Sequence, residues 1–228
     1  MKARWHVAEF CLEVSGDYAC FTRPELKVER VSYEVMTPSA ARAIFEAILW
    51  KPAITWQVTR IDVLEPIRWF SLRRNEVGSK ISTRVVETAM RRGSGTLGLY
   101  VDDERERQQR ASLFLRDVRY RIHARLMMTP AAYPDDSIAK YAEMFRRRAT
   151  HGQCVNQPYL GTREFDCRFR LIEDPSQETS PIDETRDLGL MLYDLDFAGP
   201  SATPMFFRAA LAHGTVHVPD RDSELVLR

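Results

Sequence analysis

Polar and apolar residues alternate from the start of the chain. In residues 5–14 (WHVAEFCLEV), Trp5, Val7, Glu9 and Cys11 oppose His6, Ala8, Phe10, Leu12 and Val14, which is the period of a β-strand. Ser15-Gly16-Asp17 predicts a turn, and the aromatic, basic and irregular residues after it read as a working loop. Thr37 as N-cap and Pro38 behind it open a helix with Ile44, Phe45, Ile48 and Leu49 on one stripe, closed by Pro52. Residues 53–70 alternate through Ile54, Trp56, Val58 and Arg60 as a long strand. Between 71 and 112 the chain turns polar, with arginine pairs at 73–74 and 91–92 and a glycine loop, and predicts a partly mobile β-hairpin insertion. Leu113 to Met128 alternates again, with one face packed and the other (Arg119, Arg121, His123, Arg125) strongly basic. Ser137 caps a second helix over 137–149 with Ile138, Tyr141, Ala142 and Phe145 inward, stopped by Gly152. A strand at 163–172 follows.

The order strand, helix, strand, insertion, strand, helix, strand is that of an α+β, ferredoxin-like (RRM-like) body. A polar linker from 173 to 187 leads to two more strands, 188–198 and 204–218. The expected organisation is a body over 1–172 and a small C-terminal antiparallel β-sheet region over 173–228.

Composition narrows the class. With 44% hydrophobic residues the chain of 228 can bury a sizeable core, which excludes disordered and collagen-like proteins. Neither a long apolar run nor a signal-peptide pattern is visible, so no membrane is expected and the location expected is cytoplasmic. Cys11, Cys20, Cys154 and Cys167 form no C-x-x-C pair and read as free thiols. Net charge is only +1, but residues 1–172 hold 29 basic against 21 acidic side chains, and 173–228 hold 4 against 11. Of the 33 basic residues, 28 are arginine. Arginine forks suit a polyanion, and a GC-rich genome produces the same skew.

Several motifs lack their context. Gly93-Ser94-Gly95-Thr96-Leu97-Gly98 matches G-x-G-x-x-G, but no helix pattern follows it and a hairpin tip is the better reading. His213 and His217 have no third ligand nearby, so no metal site is assigned and no cofactor is expected. The second helix is more informative, with Lys140 and Tyr141 near its start, Arg146-Arg147-Arg148 in its last turn and His151 at its exit. Cleavage of RNA by its own 2′-hydroxyl needs a proton acceptor, a proton donor and a cation for the phosphorane, roles that Tyr, His and Lys can fill. An exposed Lys, a packed Tyr and a basic turn complementing the helix dipole fit the same spacing.

Three strings carry a resemblance: GDYACFTRPELKVERVSYEVMTPSAARAIFEAILWKP at 16–52, AKYAEMFRRR at 139–148 and HGQCVNQPYLGTREF at 151–165. Together they resemble the CRISPR-associated Cas five family in the form found with type I-C systems. The resemblance implies a metal-independent endoribonuclease that cuts precursor CRISPR RNA beside the repeat hairpin. It then stays on the 5′ handle with other Cas subunits. In that family a tyrosine on the first helix and a Lys-His pair on the second are assigned to cleavage. Here those positions are Leu49 and Lys140-Tyr141, so only the lysine is retained. The expected catalytic group is Lys140 on the phosphorane, Tyr141 moving a proton and His151 as substitute acid or base. The expected RNA contacts are Tyr18 by stacking and Arg23, Lys27, Arg42, Lys51, Arg146, Arg147, Arg148 and Arg163 through phosphates. Arg163 is equally placed to pair with Glu164. The alternative is a non-catalytic subunit that binds the handle of the CRISPR repeat RNA, and duplex DNA is a further partner for the Arg-rich surface.

Overall fold

The computed structural model describes residues 7–26, 28–197, 199 and 201–228; Trp5 and His6 of the first expected strand, and Lys27, lie outside them. Strand β1 (Ala8–Ala19) keeps the expected alternation, with Phe10, Leu12 and Val14 buried, but runs straight through the turn expected at 15–17. Gly16 explains this, because a Cβ there would collide with the Leu160 side chain and the Asp166 carbonyl. The small residue is needed for close packing of another segment on a strand, not for a turn. Helix α1 (Pro38–Ile48) is capped by Thr37, whose Oγ1 accepts from the Ala40 N–H at 3.3 Å. It is followed by β2 (Ile54–Val63), where the expected long strand breaks before Pro66, and then by β3 (Arg68–Val77).

The insertion is a ribbon with a helix in its tip. β3 leads to α2 (Thr83–Arg92), a helix that the polar composition had hidden, and the chain returns in β4 (Arg107–Met128). Gly93 ends α2 at φ 65°, so Arg91 and Arg92 are its last turn and the glycine string is the way out of it. β4 is shared. Its first half pairs with β3 from Val77↔Arg107 to Arg68↔Arg116, and its second half lies between β1 and β2. Asp117, at φ 53°, marks the change, and Leu115 is buried there against the expected alternation. α3 (Ile138–Thr150) is capped by Ser137, and β5 (Arg168–Ile172) is shorter than expected because 163–167 form a loop.

The C-terminal strands are β6 (Arg186–Asp196), β7 (Thr203–Ala212), β8 (Thr215–His217) and β9 (Val226–Leu227). The expected strand over 204–218 is therefore split, by His213 and by Gly214 at φ 74°. Among the described residues the strands form one mostly antiparallel sheet in the order β5-β1-β4-β2-β8-β7-β6, with β3 on β4 and β9 on β7. No described helix is long and apolar enough to cross a membrane.

Both main helices pack on one face of the sheet through an aromatic knot. The Phe145 ring of α3 lies 4.7 Å from Phe10, 4.5 Å from Trp56 and 5.5 Å from Phe45 of α1, all centroid to centroid. Trp56 Nε1 donates to the Leu49 carbonyl at 2.9 Å, so the one polar atom of that ring is satisfied inside the knot. Phe145→Ala should cost about 3–5 kcal/mol of stability, read as a lower urea midpoint. Phe145→Leu should cost clearly less in the same titration.

Candidate functional site

The turn before α3 builds a polar cluster. Asp136 lies one residue before the N-cap, and the Tyr133 N–H donates to its Oδ2 at 3.1 Å. Its Oδ1 accepts from Lys140 Nζ at 3.0 Å and from the Tyr141 hydroxyl at 2.7 Å. An acid at i and a lysine at i+4 meet on a helix, and a carboxylate beside the helix N-terminus is favoured by its dipole. The hydrogen bond from Tyr141, followed by that from Lys140, holds the Asp136 carboxyl below the usual range, and donation to Asp136 pushes the Tyr141 phenol up. The Tyr141 residue is buried at 6% exposure, whereas the Lys140 side chain is 53% exposed and its Nζ stands 5.5 Å from the Tyr141 ring centroid. Lys140 is thus free to move to a ligand, and Tyr141 is held as a hydrogen-bond donor. Asp136 was missed in the sequence, although the D-x-x-x-K spacing across a helix start was there to find.

His151 does not join this cluster. It caps the other end of α3, its Nδ1 lying 2.7 Å from the Arg147 carbonyl, and eleven helical rises put it about 16 Å along the axis from Lys140. Leu49 is fully buried at the C-cap of α1, where its N–H donates to the Phe45 carbonyl.

The expected phosphate contacts divide into two groups. Arg42 is committed internally, with Nε and Nη2 gripping Asp194 at 3.0 and 2.9 Å and Nη1 on Glu46 at 2.6 Å. Arg148 donates to the Ile48 carbonyl at 2.8 Å and so caps α1 from α3. Arg146 lies near Glu143 and Glu173 and above the Phe10 ring, and Arg23 stacks 4.5 Å from the Tyr33 centroid. Tyr18 is 39% exposed and packs near Phe70 and Phe165. Lys51, Arg147 and Arg163 are exposed and have no side-chain partner among the described residues. Glu164, the alternative partner of Arg163, is taken by Arg30 at 2.8 Å and Arg74 at 2.5 Å. His213 pairs with Asp183.

The basic face of β4 is not an open polyanion surface. Glu13 bridges Arg119 at 3.0 Å and Arg170 at 2.7 Å, Arg170 also meets Glu178 at 2.6 Å, and Arg121 donates to the Thr179 carbonyl. Asp62, 2% exposed, accepts from Thr215 at 3.0 Å and lies 3.2 Å from both Arg60 Nε and His123 Nε2. Burial pushes the Asp62 carboxyl up, but His123, Arg60 and Thr215 outweigh it and the net direction is down.

Comparison with known proteins gives the family and the fold. Residues 10–219 match the family described as CRISPR-associated protein (Cas_Cas5). A "CRISPR pre-crRNA endoribonuclease Cas5d" of Mannheimia succiniciproducens is 52% identical over 221 residues, covering 95% of this chain and 97% of the relative. A protein of the same name from Thermus thermophilus is 41% identical over 231 residues, covering 93% and 92%. Among solved structures, one titled "Crystal Structure of CRISPR-associated Protein" superposes at a TM-score of 0.70 with 22% identity, covering 99% of this chain and all of that one. A functionally uncharacterized protein from Streptococcus mutans does so at 0.69 with 20% identity over the same shares. The antiparallel sheet with its few helices is therefore a fold shared with both of these structures. The chain belongs to the Cas5 family, in its type I-C form.

A carboxylate with a lowered pKa contributes stability above its unfolded value of about 3.9, and that contribution is lost as pH falls through the folded value. Asp62→Asn, which leaves Arg60 and Arg121 without their counter-charge, should cost about 3–5 kcal/mol at pH 7. The penalty should shrink below about pH 4, as read by denaturant titrations at pH 7 and pH 3.

Proposed function

We propose that this chain is a CRISPR precursor-RNA endoribonuclease that cuts beside the repeat hairpin by 2′-hydroxyl attack, without a metal, and stays on the 5′ handle among other Cas subunits. The observation that carries this reading is the 52% identity, across 95% of the chain, to a protein named as a pre-crRNA endoribonuclease. The strand order β5-β1-β4-β2, with α1 and α3 on one face, supports a ferredoxin-like body over 1–172. Residues 173–228 would then be a C-terminal β region joined to its β2 edge.

The Asp136 cluster supplies a route for the chemistry. Lys140 leaves Asp136 for the phosphate and stabilises the charge that builds on the phosphorane. Without that cation Asp136 becomes more basic, since Lys140 helps to hold its pKa down. The Tyr141 oxygen can then take the 2′-hydroxyl proton while passing its own to Asp136, along the hydrogen bond already made. The 2′-oxygen attacks phosphorus, the bond to the 5′-oxygen breaks as that oxygen takes a proton from solvent water, and the product ends in a 2′,3′-cyclic phosphate and a free 5′-hydroxyl. His151 has no part in this route. The burial of Leu49 at the family's tyrosine position favours the second reading, a subunit that binds the handle without cutting.

Incubation of the protein with its end-labelled repeat RNA in EDTA tests this. Wild type should cut, Lys140→Ala and Tyr141→Phe should each slow the single-turnover rate by about 100-fold or more, and His151→Ala should match wild type. Binding without cutting by the wild type would establish the handle-binding reading instead, and an absolute Mg²⁺ requirement would sink the mechanism. Asp136→Asn should likewise be slow, and its residual activity should lose the wild-type pH dependence.

A further inference from the structure

A groove of about 760 Å³ separates the outer face of α1 from the loop over 155–166, on neither the Asp136 cluster nor the sheet face. Trp50 and Tyr159 line it, 58% and 36% exposed, and neither ring stacks on another aromatic ring among the described residues. The Trp50 indole is open at the end of a well-packed helix, in contrast to the buried Phe10, Phe45, Trp56 and Phe145.

The loop that presents Tyr159 is anchored firmly. The Val155 N–H donates to the Ala47 carbonyl at 2.8 Å, the Cys20 N–H to the Leu160 carbonyl at 3.0 Å, and the Leu160 N–H to the Phe165 carbonyl at 2.8 Å. Gly161, at φ +86°, lies so close to the Cys20 carbonyl that a Cβ would overlap it. The backbone that carries Tyr159 is therefore set before any ligand arrives, which lowers the ordering cost of binding on that side of the groove.

Charge defines the occupant. Arg163 also lines the groove, exposed and without a side-chain partner among the described residues, and Lys51 follows Trp50 in the chain. Asp166 lies on the groove wall, where it repels a phosphate and accepts from an amino or imino N–H. A second hollow of about 550 Å³ shares Tyr159 and Arg163 with the first and continues to Thr22 and Arg30. The groove's other carboxylate, Glu46, is neutralised by Arg42 at 2.6 Å, so two open rings, Asp166 on the wall and cations at the margin suit a chain of alternating flat bases and phosphates. An apolar peptide segment would leave Arg163 and Asp166 desolvated without partners.

We infer that this groove is a reading site for unpaired nucleobases of single-stranded RNA, with Trp50 and Tyr159 as stacking platforms and Arg163 on the adjoining phosphate. The inference rests on the proposed RNA function and extends it, since it assigns the single-stranded flank of the repeat, not its hairpin, to this face. Stacking on exposed rings tolerates sequence, so this site would fix the position of the flank, with limited choice of base through Asp166.

The test is a pair of affinities measured by fluorescence anisotropy, one for the chain's own repeat RNA with both single-stranded flanks and one for the hairpin trimmed of them. Trp50→Ala and Tyr159→Ala should each weaken binding of the flanked RNA by about 5- to 100-fold and leave the trimmed hairpin unaffected. Trp50→Phe should recover most of the loss, and Arg163→Ala should reduce the salt slope by about one. Equal binding of the flanked RNA by wild type and both alanine variants, or an equal loss on both RNAs, overturns the inference while the RNA function stands. A wild type that binds neither RNA overturns that function and the inference with it. Both alanine positions are exposed, and an unchanged melting temperature separates these losses from misfolding.

Discussion

Four aromatic rings decide where everything else in this protein stands. Phe10, Phe45, Trp56 and Phe145 come from β1, α1, β2 and α3 and meet within 6 Å of one another at their nearest approaches. They pin both helices to one face of the sheet. The knot sets the height of α3, and so the place of Asp136, Lys140 and Tyr141 at its start. It also brings Arg148 to the end of α1, where the guanidinium takes a carbonyl left free by the helix terminus. Trp50, one residue past that C-cap, faces outward because Leu49 faces in.

Charge in this chain works mainly as internal cement. The excess of arginine over acid in residues 1–172 reads as a polyanion surface, yet Arg119, Arg121 and Arg170 are bound by Glu13, Glu178 and a backbone carbonyl. Asp62 holds Arg60 and His123 in the same layer. Arg42 spans 152 positions to reach Asp194, tying the first helix to the acidic C-terminal region. The complementary charges of the two regions also meet at Arg146–Glu173 and Arg170–Glu178, while most acids of 173–228 pair with arginines or His213 of their own region. The cations left open are not confined to Lys51, Arg147 and Arg163, because Arg73, Lys80, Arg84, Arg92 and Arg105 of the insertion also lack a side-chain partner among the described residues.

Period and capping carry far in the sequence, and pairwise distance does not. Both main helices, with their Thr37 and Ser137 caps, and the alternation of β1 and β4 were legible because each is set by neighbours a few residues away. So was family membership, through the strings at 16–52 and 151–165. The helix α2 was hidden because it buries no side chain and so shows no apolar stripe against a core. Gly16 read as a turn because only the folded protein brings Leu160 against it. Arg42 and Arg148 read as phosphate ligands because the partners they meet in the fold lie 152 and 100 positions away. Asp136 was within reach, five residues from Tyr141, but a lone acid before a cap draws no notice until its two donors are seen to share one oxygen.

The long strand β4 also bears on how the molecule comes into being. β1 pairs with it from Ala8↔Leu126 to Ala19↔Leu115, so the first strand made has no partner on this side until 96 residues beyond its end have been synthesised. At about 5–20 residues per second, that is a wait of several seconds at the least. Throughout it Phe10, Leu12 and Val14 have no sheet to close against. The nascent chain must keep its first strand from premature pairing for a large part of its own translation, and the body can form only when the central strand has emerged.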